Sequence, residues 1–215
     1  GRVSRPDGLR AFEEIGRFAT FCAHVLSTPL RARSRAALVV AQMSEIGIRS
    51  LPVVSVTGLF TGMVLAFQTA YQIRRFGAAV SVGGIVAISL ARELGPVLTA
   101  LVVAGRVGAA ITAEIGTMKV TEQVDALESM GVDPAEYLAW PRVAAAILML
   151  PVLTIYADFI GYIGGYLIGV YRLDLPAASF IRWTRWLVVP SDILSGLFKA
   201  FFFGGIIGTV SSYAG

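Results

Sequence analysis

The hydrophobic and polar positions near the start of this chain follow the period of a helix that is apolar on one side only. Between residues 7 and 30, charged side chains such as Arg10 and Glu13 fall on one side of that helix and apolar ones on the other. The apolar positions are Leu9, Phe12, Ile15, Ala19, Cys22 and Leu26. The pattern predicts an amphipathic helix lying in a membrane interface. Residues 36–50 predict a shorter elbow helix that bends or restarts at Pro52, since proline disfavours helical geometry at the residue before it.

Longer apolar segments follow, each close to or above the roughly 20 residues that cross a bilayer. They predict four transmembrane helices at residues 53–71, 85–113, 143–170 and 193–215. Glycines spaced four residues apart occur at Gly58/Gly62, Gly161/Gly165/Gly169 and Gly204/Gly208. This spacing lets membrane helices approach closely, within one chain or between the two chains of a dimer, although glycine is also common in such helices generally.

Composition and charge place the chain in the same class. Hydrophobic residues make up 56% and charged residues 15%, with a mean hydropathy of +0.73, whereas soluble domains carry about 25% charged residues. An N-terminus inside the cell puts ten Lys and Arg residues on the cytoplasmic side and leaves five outside, at Arg74, Arg75, Arg172, Arg182 and Arg185. The sequence therefore predicts an all-α polytopic membrane protein with a cytoplasmic N-terminus. No soluble basic face suited to nucleic acid is present.

The chain offers little chemistry for catalysis. Its single cysteine, Cys22, and single histidine, His24, cannot form a disulfide or a zinc site of the usual ligand count. No GxxxxGK[ST] motif occurs, so an ATPase site would have to be supplied by another subunit. No Ser–His or Cys–His arrangement indicates an enzyme.

Arg92 and Glu93 stand in the middle of the second apolar segment, where each charge costs about 2.5–3.5 kcal/mol. The adjacent pair partly neutralises itself. It is either a buried ion pair that locks helices together or a polar patch that meets a transported head group. A second intramembrane carboxylate, Asp158, leaves open a different mechanism, an ion-coupled carrier that uses Glu93 and Asp158.

Residues 114–134, which follow the second segment, are too polar for lipid. They predict a water-facing helix at 117–130 in which Val120, Val124, Leu127 and Met130 form one apolar stripe. Such a helix is either a solvated connection or a docking element for a partner.

The run ARELGPVLTALVVAGRVGAAITAEIGTMKVTEQVDALESMGVDP resembles the signature region of the MCE-associated, Mla-type ABC transporter permeases. The flanking segments SLPVVSVTGLFTGMVLAFQTAYQIRRFGA and PRVAAAILMLPVLTIYADFIGYIGGYLIGV are similar to the same family. The resemblance implies one permease domain over residues 1–215 in the bacterial inner membrane. Members have a fifth helix after a glycine-rich loop, which this sequence lacks, so we expect that a C-terminal piece is missing.

The resemblance also implies a mechanism. It predicts a homodimer that moves phospholipid between the inner membrane and the outer envelope, with two cytoplasmic ATPase subunits that hold ATP and Mg²⁺ and an outer ring of MCE-domain protein. The permease itself binds no cofactor. The coupling helix to the ATPase comprises Thr117, Met118, Val120, Glu122, Gln123, Val124, Leu127 and Met130. The lipid cavity comprises Arg92 and Glu93, with Leu65, Gln68, Ile73 and Phe76 lining its outer half.

Overall fold

The computed structural model describes residues 7–27, 36–73 and 81–215, and within them the chain forms helices and no strands. The four runs long and apolar enough to cross a membrane are Ala36–Ile73, Val82–Val120, Ala135–Arg172 and Pro190–Ala214. The prediction of an all-α polytopic membrane protein is confirmed.

The N-terminal helix is continuous, whereas the first two spanning runs are interrupted by short turns of other helical types. Helix α1 covers Asp7–Ser27. In the first run, a 3₁₀ turn (Ile48–Ser50) joins α2 (Ala36–Gly47) to α3 (Leu51–Ile73). The second run contains α4 (Val82–Ser89), a π turn (Leu90–Leu94), α5 (Gly95–Val103), a second π turn (Ala104–Gly108) and α6 (Ala109–Val120).

The remaining helices complete the bundle. A short helix, α7 (Gln123–Ser129), precedes the third run, in which α8 (Trp140–Leu167) is flanked by π turns at Ala135–Ala139 and Ile168–Arg172. Helix α9 covers Ala177–Leu187, and α10 covers Pro190–Ala214.

The helices extend beyond the predicted apolar segments. The second run begins at Val82 and continues to Val120 because polar residues do not end a helix unless their backbone geometry changes. The third run begins at Ala135, ahead of the predicted Val143. Pro141 does not mark its start because proline is tolerated in the first turn of α8, after the π turn.

Helix α8 occupies the centre of the bundle, between α3 and α10. A side chain at Gly62 would strike the carbonyl oxygen of Gly161, and one at Gly164 would strike that of Leu59. Gly204 on α10 similarly faces the backbone of Ala146. Of the two alternatives for the glycine repeats, the structure favours packing within the chain: these glycines bring α3 and α10 against α8.

The segment between the third and fourth runs contains helix α9. Phe180 on this helix is fully buried. Gly83 and Gly84 of α4 leave room for the backbone of Phe180 and Trp183. Helix α9 therefore closes the end of the bundle at which the second run begins.

Helix α1 lies at the opposite end of the bundle, which we call the α1 end. Phe18 and Phe21 pack against the ring of Tyr213, near the end of α10. Val25 is fully buried, whereas Ile15 on the predicted apolar side is exposed. The helix therefore contacts the protein through one part of its apolar surface and leaves Ile15 free to enter a lipid interface.

Candidate functional site

The most unusual backbone of the second run lies at Arg92, within the π turn Leu90–Leu94. Pro96 lacks the N–H group that would bond to the Arg92 carbonyl in a regular α-helix. Lys199 of α10 supplies a donor instead, with its Nζ 2.9 Å from the Arg92 oxygen. A π turn of this kind frequently marks a functional position.

Two ion pairs connect this π turn to α10. Glu93 Oε1 lies 2.7 Å from Lys199 Nζ, and Arg92 Nη1 lies 3.7 Å from Asp192 Oδ1. Asp192 also accepts the Val189 N–H at 3.1 Å, which caps the start of α10. Arg92 and Glu93 therefore do not depend on each other alone, because each also has an oppositely charged partner about a hundred positions later in the chain. We call these four residues the charge cluster.

The helices approach closely around the charge cluster. A side chain at Gly196 of α10 would strike the carbonyl oxygen of Ala91, so this glycine allows α10 to reach the π turn. The side chains of Arg92 and Glu93 remain 54% and 64% exposed. In one chain the cluster therefore lies on the outer face of the bundle rather than inside an enclosed cavity.

The other predicted cavity residues lie along α3. Leu65 is partly buried against a core cluster that contains Val86, Leu90 and Phe180, while Gln68 is exposed and Ile73 is the last residue of the helix. Phe76 lies outside the described residues. Their role in lining a cavity stays a prediction.

Asp158, the other intramembrane carboxylate, is separate from the charge cluster. It lines an apolar cleft of about 220 Å³ with Leu90, Phe159 and Tyr162. Its Oδ1 atom is buried and has no hydrogen-bond partner among the described residues. Gly95 leaves space for the carboxyl group, since a side chain there would strike Oδ1.

The predicted coupling helix is two helices rather than one. Thr117, Met118 and Val120 end α6, and Gln123, Val124 and Leu127 belong to α7. Glu122 between them has a φ of 57°, a left-handed conformation that an L residue rarely adopts. The prediction of one continuous apolar stripe is therefore wrong. Val120 and Met130 are 84% and 69% exposed, whereas Val124 and Leu127 are partly buried.

The coupling segment, residues 117–130, is followed by a contact that attaches α1. His24 Nε2 lies 2.6 Å from Asp133 Oδ2, and the Ala135 N–H donates to Asp133 Oδ1 at 2.9 Å. Partial burial raises the pKa of Asp133, but the hydrogen bonds from His24 and Ala135 outweigh it and hold this pKa below its usual value.

Acidification is expected to loosen α1 through Asp133. Because this pKa is lower in the folded protein, the stabilisation is complete above the unfolded value of about 3.9 and is lost as the pH falls through the folded value. Exposed pairs contribute only about 0.2–1 kcal/mol, so we expect faster proteolysis of α1 below about pH 4 without unfolding of the bundle. Asp133→Asn should cleave faster at neutral pH and lose most of the pH response, and an unchanged response would contradict the assignment.

Sequence reasoning missed Asp192 and Lys199. Lys199 is the only charged residue within residues 193–215. A lone cation in an apolar helix needs a partner, and the intramembrane carboxylates Glu93 and Asp158 were the two candidates in the sequence.

Comparisons with known proteins agree with this architecture. A family model described as "Permease MlaE" matches residues 39–215. A probable ABC transporter permease protein of Rickettsia felis is 47% identical over 207 residues, which cover 96% of this chain and 80% of the relative. The intermembrane phospholipid transport system permease protein MlaE of Haemophilus influenzae is 40% identical over 210 residues, covering 95% and 78%.

A plant protein is also similar. The chloroplastic protein TRIGALACTOSYLDIACYLGLYCEROL 1 of Arabidopsis thaliana is 38% identical over 170 residues, which cover 79% of this chain and 49% of that protein. ABC permeases among the relatives do not favour the ion-coupled carrier that uses Glu93 and Asp158. With a family match over most of its length and four spanning helices, the chain belongs to the MlaE permease family.

Proposed function

We propose that this chain is the membrane subunit of an ATP-driven transporter that moves phospholipid between the inner membrane and the outer envelope. The observation that carries the proposal is the charge cluster, which joins the π turn to α10 and leaves Arg92 and Glu93 exposed within the spanning region. The name of the Haemophilus influenzae relative supports phospholipid as the substrate.

The cluster suits a phospholipid head group. Arg92 can donate paired hydrogen bonds to a phosphate, and its Asp192 contact of 3.7 Å is long enough to be exchanged for a stronger one. Lys199 meanwhile holds Glu93 and the Arg92 carbonyl in place. The site is thus organised before the lipid arrives.

A second copy of the chain completes the site in this proposal. Charged groups exposed to hydrocarbon are costly, and Arg92 and Glu93 are exposed on the single chain. Covering them with the same face of a partner would create a closed cavity between two chains. Gln68, also exposed, would lie in its outer half, with Leu65, Ile73 and Phe76.

Separate ATPase subunits dock on the coupling segment. The exposed side chains of Val120 and Met130 offer an apolar contact on a segment that is otherwise polar. The segment lies beyond the apolar part of the second run, at the α1 end. With the N-terminus inside, that end faces the cytoplasm, where ATP and Mg²⁺ are held by the partner, and the MCE-domain ring stands on the opposite side.

The proposal is tested by the double variant Glu93→Gln with Lys199→Gln. The two glutamines keep polar side chains that can hydrogen-bond to each other while both charges are removed together. We expect lipid transfer between donor and acceptor vesicles by the reconstituted complex to fall by about tenfold or more, since hydrogen bonds to charged groups contribute about 1.5–3 kcal/mol. Assembly and thermal stability should stay near those of the wild type.

Arg172→Gln is the matched control, because Arg172 is exposed in the last π turn and lies outside the cluster. It should transfer lipid at the normal rate. If the double variant loses yield and stability together with transfer, the cluster serves only to hold α10 against the second run and the proposed site is wrong.

A further inference from the structure

A polar cleft, separate from the charge cluster, lies at the α1 end between α2 and the second run. Its volume is about 620 Å³, and its polar lining consists of Gln42, Glu45, Arg49, Arg106 and Glu114. These residues are distinct from the charge cluster, whose Arg92 and Glu93 lie about four helical turns earlier in the second run, given about 3.6 residues per turn.

Arg106 is the residue in this cleft whose charge is not balanced. Its Nη1 atom donates to Ser50 Oγ at 2.9 Å, and it forms no ion pair within the described part of the chain. A guanidinium has five N–H donors and stays protonated, so most of its donors have no protein acceptor here. An arginine held in this state at the edge of a membrane indicates an anionic ligand.

The other charged groups of the cleft are already paired. Glu45 of α2 pairs with Arg49 in the 3₁₀ turn that follows, and Glu114 lies 2.8 Å from the buried guanidinium of Arg142. Arg142 does not line the cleft but neutralises Glu114, which leaves Arg106 as the one lining cation without a carboxylate partner among the described residues.

The depth of the cleft fits a lipid head group. Ser50 stands just before the apolar segment 53–71, so its hydrogen bond places Arg106 at the border of the apolar band. Ile46, Val107 and Ile111 line the same cleft and belong to the buried cluster formed with α8. The cleft thus offers one cation at head-group level beside an apolar wall.

We propose that this cleft binds the phosphate of a glycerophospholipid taken from the leaflet at the α1 end, with Arg106 as the phosphate ligand. The inference rests on the proposed transport of phospholipid and adds a second binding site to it, separate from the charge cluster. A lipid held between α2 and the second run would stand where lipid can enter or leave the transporter from that leaflet.

The test uses the full chain in complex with its ATPase, in phosphatidylcholine nanodiscs that contain a minor fraction of photoactivatable phosphatidylglycerol. Crosslinked peptides are identified by mass spectrometry. We expect labelling of residues 41–49 and 106–114, and a decrease of about tenfold in Arg106→Gln, the size expected for losing a charged hydrogen bond. Arg106→Lys should retain part of the labelling because it keeps the charge and loses the paired donors.

Arg185→Gln is the control, since Arg185 is exposed on α9 at the opposite end. Its labelling should equal that of the wild type. Equal labelling of Arg106→Gln would overturn the proposal. So would full competition by soluble glycerol 3-phosphate, which would make the cleft a site for a free phosphate compound. An absence of labelling at 106–114 together with normal lipid transfer would overturn this proposal and leave the proposed function supported. Labelling without any lipid transfer would contradict the proposed function and leave the lipid site in the cleft supported.

In the remaining outcome, a second copy of the chain covers the cleft in place of a lipid. It is detected by a disulfide between two chains of the variant Cys22→Ser with Ala110→Cys, because Ala110 lines the cleft and Cys22 is the only native cysteine. Efficient crosslinking of two chains at this position would overturn the lipid site.

Discussion

Replacing Gly62 with alanine is expected to prevent α3 from packing against α8. The added Cβ atom would collide with the carbonyl oxygen of Gly161, which is backbone and cannot rotate away. Overpacking of a tight core costs about 1–3 kcal/mol and more where the backbone must move, and native proteins have only about 5–15 kcal/mol of stability. The variant should show a much lower yield of monodisperse protein in detergent and a lower melting temperature.

Gly105→Ala provides the matched control in another spanning helix. Among the described residues nothing lies within 4 Å of a side chain at Gly105, so the change should alter stability by no more than about 0.5 kcal/mol. If Gly62→Ala remained as stable as Gly105→Ala, close glycine packing of α3 on α8 would be contradicted. The same comparison separates packing within the chain from dimerisation, because a dimer contact alone would change the mass of the complex and leave the monomer folded.

The second large effect is expected at the coupling segment. Val120→Asp or Met130→Asp places a charge on side chains that are 84% and 69% exposed in the single chain. If these side chains are buried by the ATPase, the charge should weaken its binding by about 2 kcal/mol or more, roughly 30-fold, as for other central interface residues. The variants should lose the ATPase on purification and lose lipid transfer, while the permease keeps its melting temperature.

Ser129→Asp is the control for charge, because Ser129 is exposed on α7 and the variant adds the same charge to the same segment. Val120→Thr controls for shape and should retain the ATPase. The predicted apolar stripe would also suggest Leu127→Asp as a test of ATPase docking. That variant is a poorer probe, since Leu127 is partly buried and its loss would also disturb the permease. Retention of stoichiometric ATPase by both Val120→Asp and Met130→Asp would contradict the assignment of this contact.

Much of the architecture follows from the sequence because it depends on local composition. The length of the apolar segments predicts the four spanning helices, the helical period of residues 7–30 predicts α1, and Pro52 predicts the join between α2 and α3. The absence of a GxxxxGK[ST] motif is likewise a property of the sequence alone, and it predicts that an ATPase site would be supplied by another subunit. Helix ends were less well predicted, because the second run continues through polar residues to Val120.

Only the tertiary structure decided which distant residues meet. Glu93 and Lys199 are 106 positions apart, and nothing in their local sequence favours this pair over Glu93 with its neighbour Arg92. The glycines of α3 and α8 could serve a dimer or a single chain until the backbone of Gly161 is seen against Gly62. The left-handed Glu122 likewise divided a stripe that is continuous in sequence. Such contacts depend on how the helices pack in three dimensions, whereas helical period and apolar length are properties of each segment by itself.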